Sequence, residues 1–132
     1  LTNPNSSRPW LYIYDLLTIL YKLHKIKFRK GYYNFNIGSN NNLKIKNLIS
    51  KYLFFNSLKL KIKKSKTKKF ENEDIILNCN KLKKIIDFKF TSLKKSLKLI
   101  YEWEYHYHNK RKSIFNLTSD QINEITLNRK NR

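Results

Sequence analysis

Residues 43–79 read LKIKNLISKYLFFNSLKLKIKKSKTKKFENEDIILNC, and this stretch determines the fold that we expect. Its first part places apolar residues at i, i+3, i+4, i+7 and i+8 between Ile45 and Leu53. That spacing makes one apolar stripe along a helix and leaves Lys44 and Lys51 off the stripe. The stretch therefore begins with a predicted amphipathic helix.

The rest of the stretch predicts a basic hairpin. Residues 58–63, LKLKIK, alternate strictly, so a strand would turn its apolar side chains to one face and its lysines to the other. Residues 65–69 are too polar and too positive to be buried, and Ile75 to Leu77 then predict a second, buried strand. We expect an α+β fold: a small sheet carrying this hairpin, with strands near 58–63 and 75–79, packed by helices and flanked by extended termini.

The flanking segments favour further helices. Residues 10–23 are mostly apolar and follow Pro9, which predicts a helix covered by the domain or by a partner. This segment is too short to span a bilayer. Asn80 can cap a short helix with Leu82, Ile85 and Ile86 inward, and residues 93–108 follow helical spacing. Thr118 with Gln121 fits a capping box for a last helix with Ile122 and Ile125 inward.

The chain is thereby divided into three expected parts. Residues 1–42 are an N-terminal extension with an apolar helix, and residues 43–90 are a helix–strand–strand–helix core that binds RNA. Residues 91–132 hold C-terminal helices and a basic tail. Residues 31–37 alternate weakly, so a further strand is expected there.

The net charge is the largest signal in the composition. The chain of 132 residues carries 29 Lys and Arg against 9 Asp and Glu, a formal charge of +20 at pH 7. A chain this positive repels itself unless it meets a polyanion, so nucleic acid is the first expected partner and an anionic membrane surface the second. We do not expect a membrane to be the main partner. The sequence lacks Ala, Val and Met and is rich in Lys, Asn and Ile, which indicates an AT-rich gene as in many organelle genomes.

Basic residues on the hairpin and beside the aromatic segments are the candidate contacts to RNA phosphates. A phosphate backbone has closely spaced charges, and lysines at regular intervals can neutralise them. The predicted set is Arg8, Arg29, Lys30, Lys44, Lys46, Lys59, Lys61, Lys63, Lys64, Lys66, Lys68, Lys69, Lys110 and Arg111. The alternative interpretation of the hairpin lysines is a solvated edge that deters aggregation.

Aromatic residues lie near some of these cations. Tyr32, Tyr33 and Phe35 follow Arg29 and Lys30 in the sequence. Such pairs can stack on unpaired bases, and the competing interpretation is that the rings belong to the core or to an interface. A second group has the same two interpretations and comprises Trp103, Tyr105 and Tyr107.

No catalytic or metal-binding pattern is evident in the sequence. His106 and His108 are two residues apart on a predicted helix, so they do not face each other, and Glu102 and Glu104 have the same spacing. The one cysteine, Cys79, excludes an internal disulfide and fits a small buried residue. We expect no cofactor, no metal and no enzymatic activity.

Two parts of the chain resemble the ribosomal protein S-three family of the small subunit. Asn3-Pro4-Asn5-Ser6-Ser7-Arg8 resembles that family's opening Asn/His-Pro-x-x-x-Arg motif. LKIKNLISKYL resembles its basic helix, SLKLKIKKSKTKKF its first strand and basic turn, and EDIILNCNK its second strand. The family then enters a KH domain with a GxxG loop, where this chain has Asn80-Lys81-Leu82-Lys83 and no glycine.

This resemblance implies a shortened or split small-subunit ribosomal protein of a mitochondrion, or of a plastid, located in the head of the subunit near the messenger entry. It implies ribosomal RNA and neighbouring ribosomal proteins as partners. Residues 33–64 also resemble the strand–helix–strand of the large-subunit L-twenty-three family. Two other classes remain open: a basic peripheral subunit of an organelle membrane complex, and a free RNA-binding factor or nuclease.

Overall fold

The computed structural model describes residue 1 and residues 3–39, 42–63, 74–109 and 113–130, with the backbone alone over 125–130. Over these residues it combines five helices with one small antiparallel sheet, a mixture compatible with the α+β class in general. The helices are α1 (Ile13–His24), α2 (Ile45–Phe55), α3 (Asn80–Lys83), α4 (Leu93–Asn109) and α5 (Ile114–Lys130), and the strands are β1 (Ser7–Arg8) and β2 (Leu43–Lys44). The chain forms two compact units, Leu1–Ser92 and Leu93–Arg132.

The N-terminal segment holds the start of α2. β1 pairs antiparallel with β2, with Ser7 opposite Lys44 and Arg8 opposite Leu43. The backbone N–H of Ile45 donates to the Ser6 carbonyl at 3.0 Å, and that of Lys46 donates to the Pro4 carbonyl at 3.0 Å. The first amides of a helix have no partner within the helix. Because α2 has no side-chain cap, these two carbonyls satisfy amides that would otherwise lack a partner.

The predicted helix within residues 43–53 is confirmed as α2, and its end has a recognisable stop. Ser57 adopts φ 54°, in the left-handed region that usually favours glycine. The Leu58 N–H donates to the Leu53 carbonyl at 2.9 Å and the Ser57 N–H to the Phe54 carbonyl at 3.3 Å, which is the bonding pattern of a Schellman motif. The chain therefore turns sharply away from the helix immediately before the lysine-rich segment.

The two predicted hairpin strands are wrong over the described residues. Residues 58–63 and 75–79 belong to no strand, and the only isolated bridge that the described part contains is a parallel one between Ser7 and Asp74. The Ile75 N–H donates to the Ser7 carbonyl at 3.2 Å, so the segment that starts at Asp74 lies beside β1. Residues 31–37, the other expected strand, also belong to no strand.

Side-chain amides hold residues 75–79 in that place. Asn42 Nδ2 donates to the Ile75 carbonyl at 3.0 Å, and Asn36 Nδ2 donates to the Asn78 carbonyl at 3.1 Å. These two amides and the Ser7 carbonyl tie residues 75–79 to the N-terminal half of the chain. Without a paired strand, the alternation in 58–63 buries no face: Leu60 is 68% exposed and Ile62 is 44% exposed.

The core of the first unit lies between α1 and α3. Ile19, Leu82 and Ile86 are buried together, and partly buried side chains pack around them: Leu23, Ile26, Phe35, Ile37, Phe88 and Phe90. Cys79 is buried, as predicted. The prediction that Ile85 points inward is wrong: α3 ends at Lys83, and beyond it Ile86 is buried in the core whereas Ile85 is 38% exposed.

Helix α1 is confirmed within the predicted apolar stretch, and it begins at Ile13, three positions later than Trp10. It buries Ile19 and Asp15 and leaves an apolar stripe exposed, formed by Ile13, Leu17, Leu20 and Tyr21. Over the described residues the structure contains no helix that has both the length and the apolar character required to cross a membrane.

The second unit consists of α4 packed against α5. Trp103 Nε1 donates to Thr118 Oγ1 at 3.1 Å, and Gln121 Nε2 donates to the Leu99 carbonyl at 3.3 Å. Lys95 and Glu124 form an ion pair at 2.9 Å. Later residues of α5 contact earlier residues of α4, so the two helices run antiparallel.

The predicted start of the last helix is wrong. Helix α5 begins at Ile114, so Thr118 lies one turn inside it and donates its hydroxyl to the Ile114 carbonyl at 2.7 Å. Gln121 takes the inward position because its amide reaches α4, and Ile122 is 44% exposed, contrary to prediction. The side chain of Ile125 lies outside the described residues.

Candidate nucleic-acid interface

The pairing of β1 with β2 brings three predicted contact residues together. Lys44 lies opposite Ser7 on the ribbon, Arg8 is the next residue of β1, and Lys46 follows in the first turn of α2. Lys44 and Lys46 are exposed. Arg8 is half-buried, and its Nη1 donates to the Ser7 carbonyl at 2.8 Å, which turns the guanidinium back onto its own strand. The ribbon therefore presents two lysine ammonium groups to solvent beside a partly shielded arginine.

Lys59, Lys61 and Lys63 form the second group, and all three are exposed. The Leu1 nitrogen donates to the Lys63 carbonyl at 2.8 Å, so the end of this segment lies beside the first residue of the chain. The lysines keep their every-second-residue spacing although the segment is not a strand. Their display to solvent does not depend on the buried apolar face that the sequence suggested.

Six members of the predicted set cannot be located. Residues 64–73 and 110–112 lie outside the described part of the chain. The predicted residues in those ranges are Lys64, Lys66, Lys68, Lys69, Lys110 and Arg111. The contact of these six with RNA stays a prediction from the sequence alone.

Arg29 and Lys30 lie in the segment that follows α1, and both are exposed. The ring of Phe28, one residue earlier, lies 4.6 Å from that of Tyr33 and 5.9 Å from that of Phe35 between centroids. The Lys81 ammonium lies 5.2 Å from the Phe35 ring centroid, within the range of a cation–π contact. Lys81 on α3 therefore contacts a cluster of rings whose members flank Arg29 and Lys30 in the sequence.

Lys81 was not among the predicted contacts. In the sequence, Lys81, Lys83 and Lys84 lie between the apolar positions of the helix that Asn80 can cap, which favours outward positions for them, and all three are exposed. The sequence could not show that residues 28–35 fold back against α3, because that contact joins positions almost fifty residues apart. The outward lysine pattern was the available signal, and it needed the fold to connect it with Arg29 and Lys30.

Carboxylates do little to neutralise the described cations of the first unit. Its described acids are Asp15, Asp74 and Asp87. Asp15 is buried, and its two oxygens accept hydrogen bonds from the backbone N–H and the hydroxyl of Thr91. The surface of this unit thus carries a positive field, which attracts polyanions and weakens with salt.

The aromatic residues of the second unit pack on its own helices. Trp103 is half-buried, stacks on Tyr107 with ring centroids 5.2 Å apart, and donates its indole N–H to α5. Tyr105 is half-buried and lies against Tyr101. The contacts of Trp103 are those expected if the ring belongs to the core or to an interface, and base stacking by this group stays a prediction. His108 Nε2 lies 3.2 Å from a Glu104 carboxylate oxygen, one helical turn away.

A metal site and a ligand cavity are the other kinds of site considered, and the described residues support neither as well as the cationic surface. The described residues contain no group of three or more His, Cys, Asp and Glu side chains arranged to hold a metal ion. An open cavity of about 280 Å³ lies against the core beside Ile19, Leu82 and Phe88, with Lys83 and Asp87 in its lining. Most of its walls are core side chains, so the cationic surface outside it is the richer candidate site.

No family model, curated protein or solved structure matches this chain. The resemblance to the S-three family therefore stays a prediction carried by the residues quoted above. At the position of that family's GxxG loop, Asn80–Lys83 forms α3, with Leu82 buried in the core.

Proposed function

We propose that this chain is a structural component of the small subunit of an organelle ribosome, in the mitochondrion, and that it binds ribosomal RNA through its lysine-rich surface. Its partners are ribosomal RNA and neighbouring ribosomal proteins. The proposal assigns no catalytic role to the chain. The main support is the exposure of Lys44, Lys46, Lys59, Lys61 and Lys63 on a unit whose few described acids leave them largely unneutralised.

The mechanism is electrostatic. Lysine ammonium groups that lie against RNA phosphates release condensed counterions, and this release supplies most of the sequence-independent affinity. Phosphates of neighbouring RNA helices repel each other, so a protein that neutralises both sides lets the helices close up. The first unit supplies a fixed frame for this role, because the backbone bonds from Ile45 and Lys46 to Ser6 and Pro4 hold the β1–β2 ribbon to α2.

The exposed stripe on α1 supports protein neighbours as additional partners. Ile13, Leu17 and Leu20 are each about half exposed, at 54%, 50% and 46%. Contiguous exposed apolar side chains mark interaction surfaces in soluble chains. In a ribosome, a neighbouring protein can cover such a stripe while the lysines face RNA.

The same stripe favours a second candidate function, a basic peripheral subunit of an organelle membrane complex. In that case α1 would dock on a membrane protein, and the lysines would meet anionic lipid headgroups. The two candidates differ in the partner that remains bound to the chain after detergent dissolves the membranes: ribosomal RNA in the first case and a membrane protein in the second.

Gradient fractionation of a tagged organelle lysate tests the proposal. We expect the chain to sediment with small-subunit ribosomal RNA, to remain there in mild detergent, and to shift to the top of the gradient after ribonuclease treatment. After magnesium depletion separates the subunits, the chain should follow the small one. Sedimentation with the large subunit would favour the L-twenty-three resemblance. A pool that ribonuclease leaves unchanged and detergent releases would contradict the ribosomal proposal.

A further inference from the structure

Tyr32 is the most exposed large hydrophobic residue in the described part of the chain. Its relative exposure is 103%, so its ring has essentially no cover from the rest of the protein. Moving an aromatic ring out of water lowers the free energy, so a folded chain usually buries most of the ring. A ring held entirely in solvent is therefore available to a ligand with a flat apolar face.

The backbone immediately before Tyr32 adopts an angle that favours glycine. Gly31 has φ +150°, a conformation that side-chain-bearing residues rarely adopt, and it lies between Lys30 and Tyr32. A Cβ at Gly31 would meet nothing closer than the Tyr33 ring at 4.0 Å, so the glycine serves the backbone angle and not a tight contact. Gly31 therefore allows the chain to take this angle next to Tyr32.

The neighbouring rings anchor the segment to the core. Tyr33 is 42% exposed and packs on Phe28, which in turn packs on Phe35. Phe35 packs against the buried cluster of Ile19, Leu82 and Ile86. A row of rings thus runs from the core to Tyr33, the residue that follows Tyr32 in the sequence.

Exposed cations occur beside this row of rings, in the sequence just before Tyr32 and over Phe35 at the inner end of the row. Lys27, Arg29 and Lys30 are exposed in the preceding residues, and the Lys81 ammonium lies over Phe35. No carboxylate occurs between residues 16 and 70. The segment therefore offers positive charge for phosphates and exposed rings for bases within the same few residues.

We propose that residues 27–33 with Lys81 form a binding site for single-stranded RNA, in which an unpaired base stacks on Tyr32 and the cations hold the flanking phosphates. Stacking on aromatic rings beside a basic track is how unpaired strands are bound without sequence preference. A duplex keeps its bases stacked on each other, so it can use the cations but not the ring. This site deepens the proposed function, on which it rests, by naming an unpaired segment as the RNA recognised here.

Binding of short RNAs to the full-length chain tests the site. The probes are fluorescein-labelled oligouridine and oligoadenosine of about ten nucleotides and a blunt RNA duplex with the same number of phosphates. The variants are Tyr32→Ala, Tyr32→Trp and Tyr32→Phe. The matched control is Phe54→Ala, which removes a ring that is 78% exposed on α2. Because Tyr32 makes no packing contact that would be lost, its variants should fold as the wild type does.

We expect Tyr32→Ala to weaken single-strand binding at least about fivefold, because the unpaired base loses the ring on which it stacks. Its binding to the duplex should change by less than about twofold, because the phosphate contacts are unaltered. Tyr32→Phe and Tyr32→Trp should bind the single strands within about twofold of the wild type, because stacking needs the ring and not the hydroxyl. Phe54→Ala should leave both probes unaffected.

If Tyr32→Ala loses affinity for single strand and duplex equally, or for neither, the stacking site is wrong while the proposed function is unaffected. Failure of the wild-type chain to bind any of the RNAs would instead contradict the proposed function. A third arm uses vesicles of phosphatidylcholine with phosphatidylserine. If Tyr32→Ala loses vesicle binding but keeps single-strand binding, the exposed ring serves a lipid surface and the RNA site is wrong.

Discussion

Asp15 accepts two hydrogen bonds from Thr91, a residue 76 positions away in the chain. Its Oδ2 accepts from the Thr91 backbone N–H at 3.0 Å, and its Oδ1 accepts from the Thr91 hydroxyl at 2.7 Å. Asp15 is 6% exposed and lies in the first turn of α1. The pair therefore ties α1 to the last residues of the first unit, and it gives this buried carboxylate the partners that it needs.

Removal of that carboxylate should destabilise the first unit. We expect Asp15→Ala to lower the free energy of unfolding by about 1–3 kcal/mol, because the Thr91 N–H is left without its acceptor. Urea denaturation followed by circular dichroism measures the change. Asp87→Ala removes an exposed acid and controls for the altered net charge. Equal midpoints for the two variants would show that the Asp15 pair contributes nothing.

The orientation of α1 can be tested by truncating one side chain on each face. Ile19 is 1% exposed and Leu17 is 50% exposed. Ile19→Ala should cost about 2–5 kcal/mol, because it opens a cavity in the core. Leu17→Ala should cost less than about 1 kcal/mol. The same denaturation assay compares them, and the reverse order would mean that α1 presents the other face to the core.

Gly38 lies where two side chains approach the backbone closely. A Cβ built there would sit 2.9 Å from Leu77 Cδ1 and 3.3 Å from Pro9 Cβ. Leu77 can rotate away but the proline ring cannot, so Gly38→Ala should destabilise by about 1–3 kcal/mol. Shortening Leu77 to Ala in the same chain should relieve only part of that loss. Strictly additive effects in the double variant would contradict a shared contact between these sites.

Ser6 has a buried hydroxyl with no hydrogen-bond partner among the described residues. Its side chain is fully buried at the ribbon that holds α2. A buried hydroxyl without a partner costs free energy, so Ser6→Ala should leave stability unchanged or raise it by up to about 1 kcal/mol. Thermal unfolding measures this. A marked loss of stability would mean that the hydroxyl does bond in solution.

The helices were the part of the fold that the sequence predicted well. The apolar spacing from Ile45 to Leu53 appears in the structure as α2, and the spacing from Leu93 onward as α4. A helix satisfies its backbone within itself, so a local pattern carries enough information to predict it. The ends of the helices were predicted less accurately. At Thr118, for example, the capping signal lies one turn inside α5.

The hairpin failed because strands need partners that a local pattern does not name. The alternation in LKLKIK predicts which side chains would share one face of a strand. It does not identify the segment that would pair with that strand. Residues 74–75 bond to Ser7 instead, through contacts between positions far apart in sequence. Long-range pairing of this kind is beyond the reach of periodicity.

The candidate site was predicted in part for the same reason. Exposure of the lysines at 59, 61 and 63 follows from their charge, since an unpaired ammonium is costly to bury. The meeting of Lys44 and Lys46 with Arg8 depends on the β1–β2 ribbon, and that of Lys81 with Phe35 depends on the packing of α3. Composition predicted a cationic surface, and only the fold could say which cations are neighbours.

The salt dependence of RNA binding is the decisive measurement for the lysine surface. The variant replaces Lys59, Lys61 and Lys63 with Gln, and the matched control replaces Lys94, Lys95 and Lys98 on α4 with Gln, which removes equal charge from the second unit. Each protein is titrated with small-subunit ribosomal RNA of its own organelle over a range of salt concentrations. A phosphate contact contributes about one to the slope of log affinity against log salt.

We predict that the Lys59, Lys61 and Lys63 variant loses about two to three from that slope and binds at least about tenfold more weakly at low salt, because three phosphate contacts disappear together. The α4 variant should stay close to the wild type in both. Unchanged affinity and slope for the first variant, or equal losses for the two, would contradict a specific role for these three lysines in holding RNA.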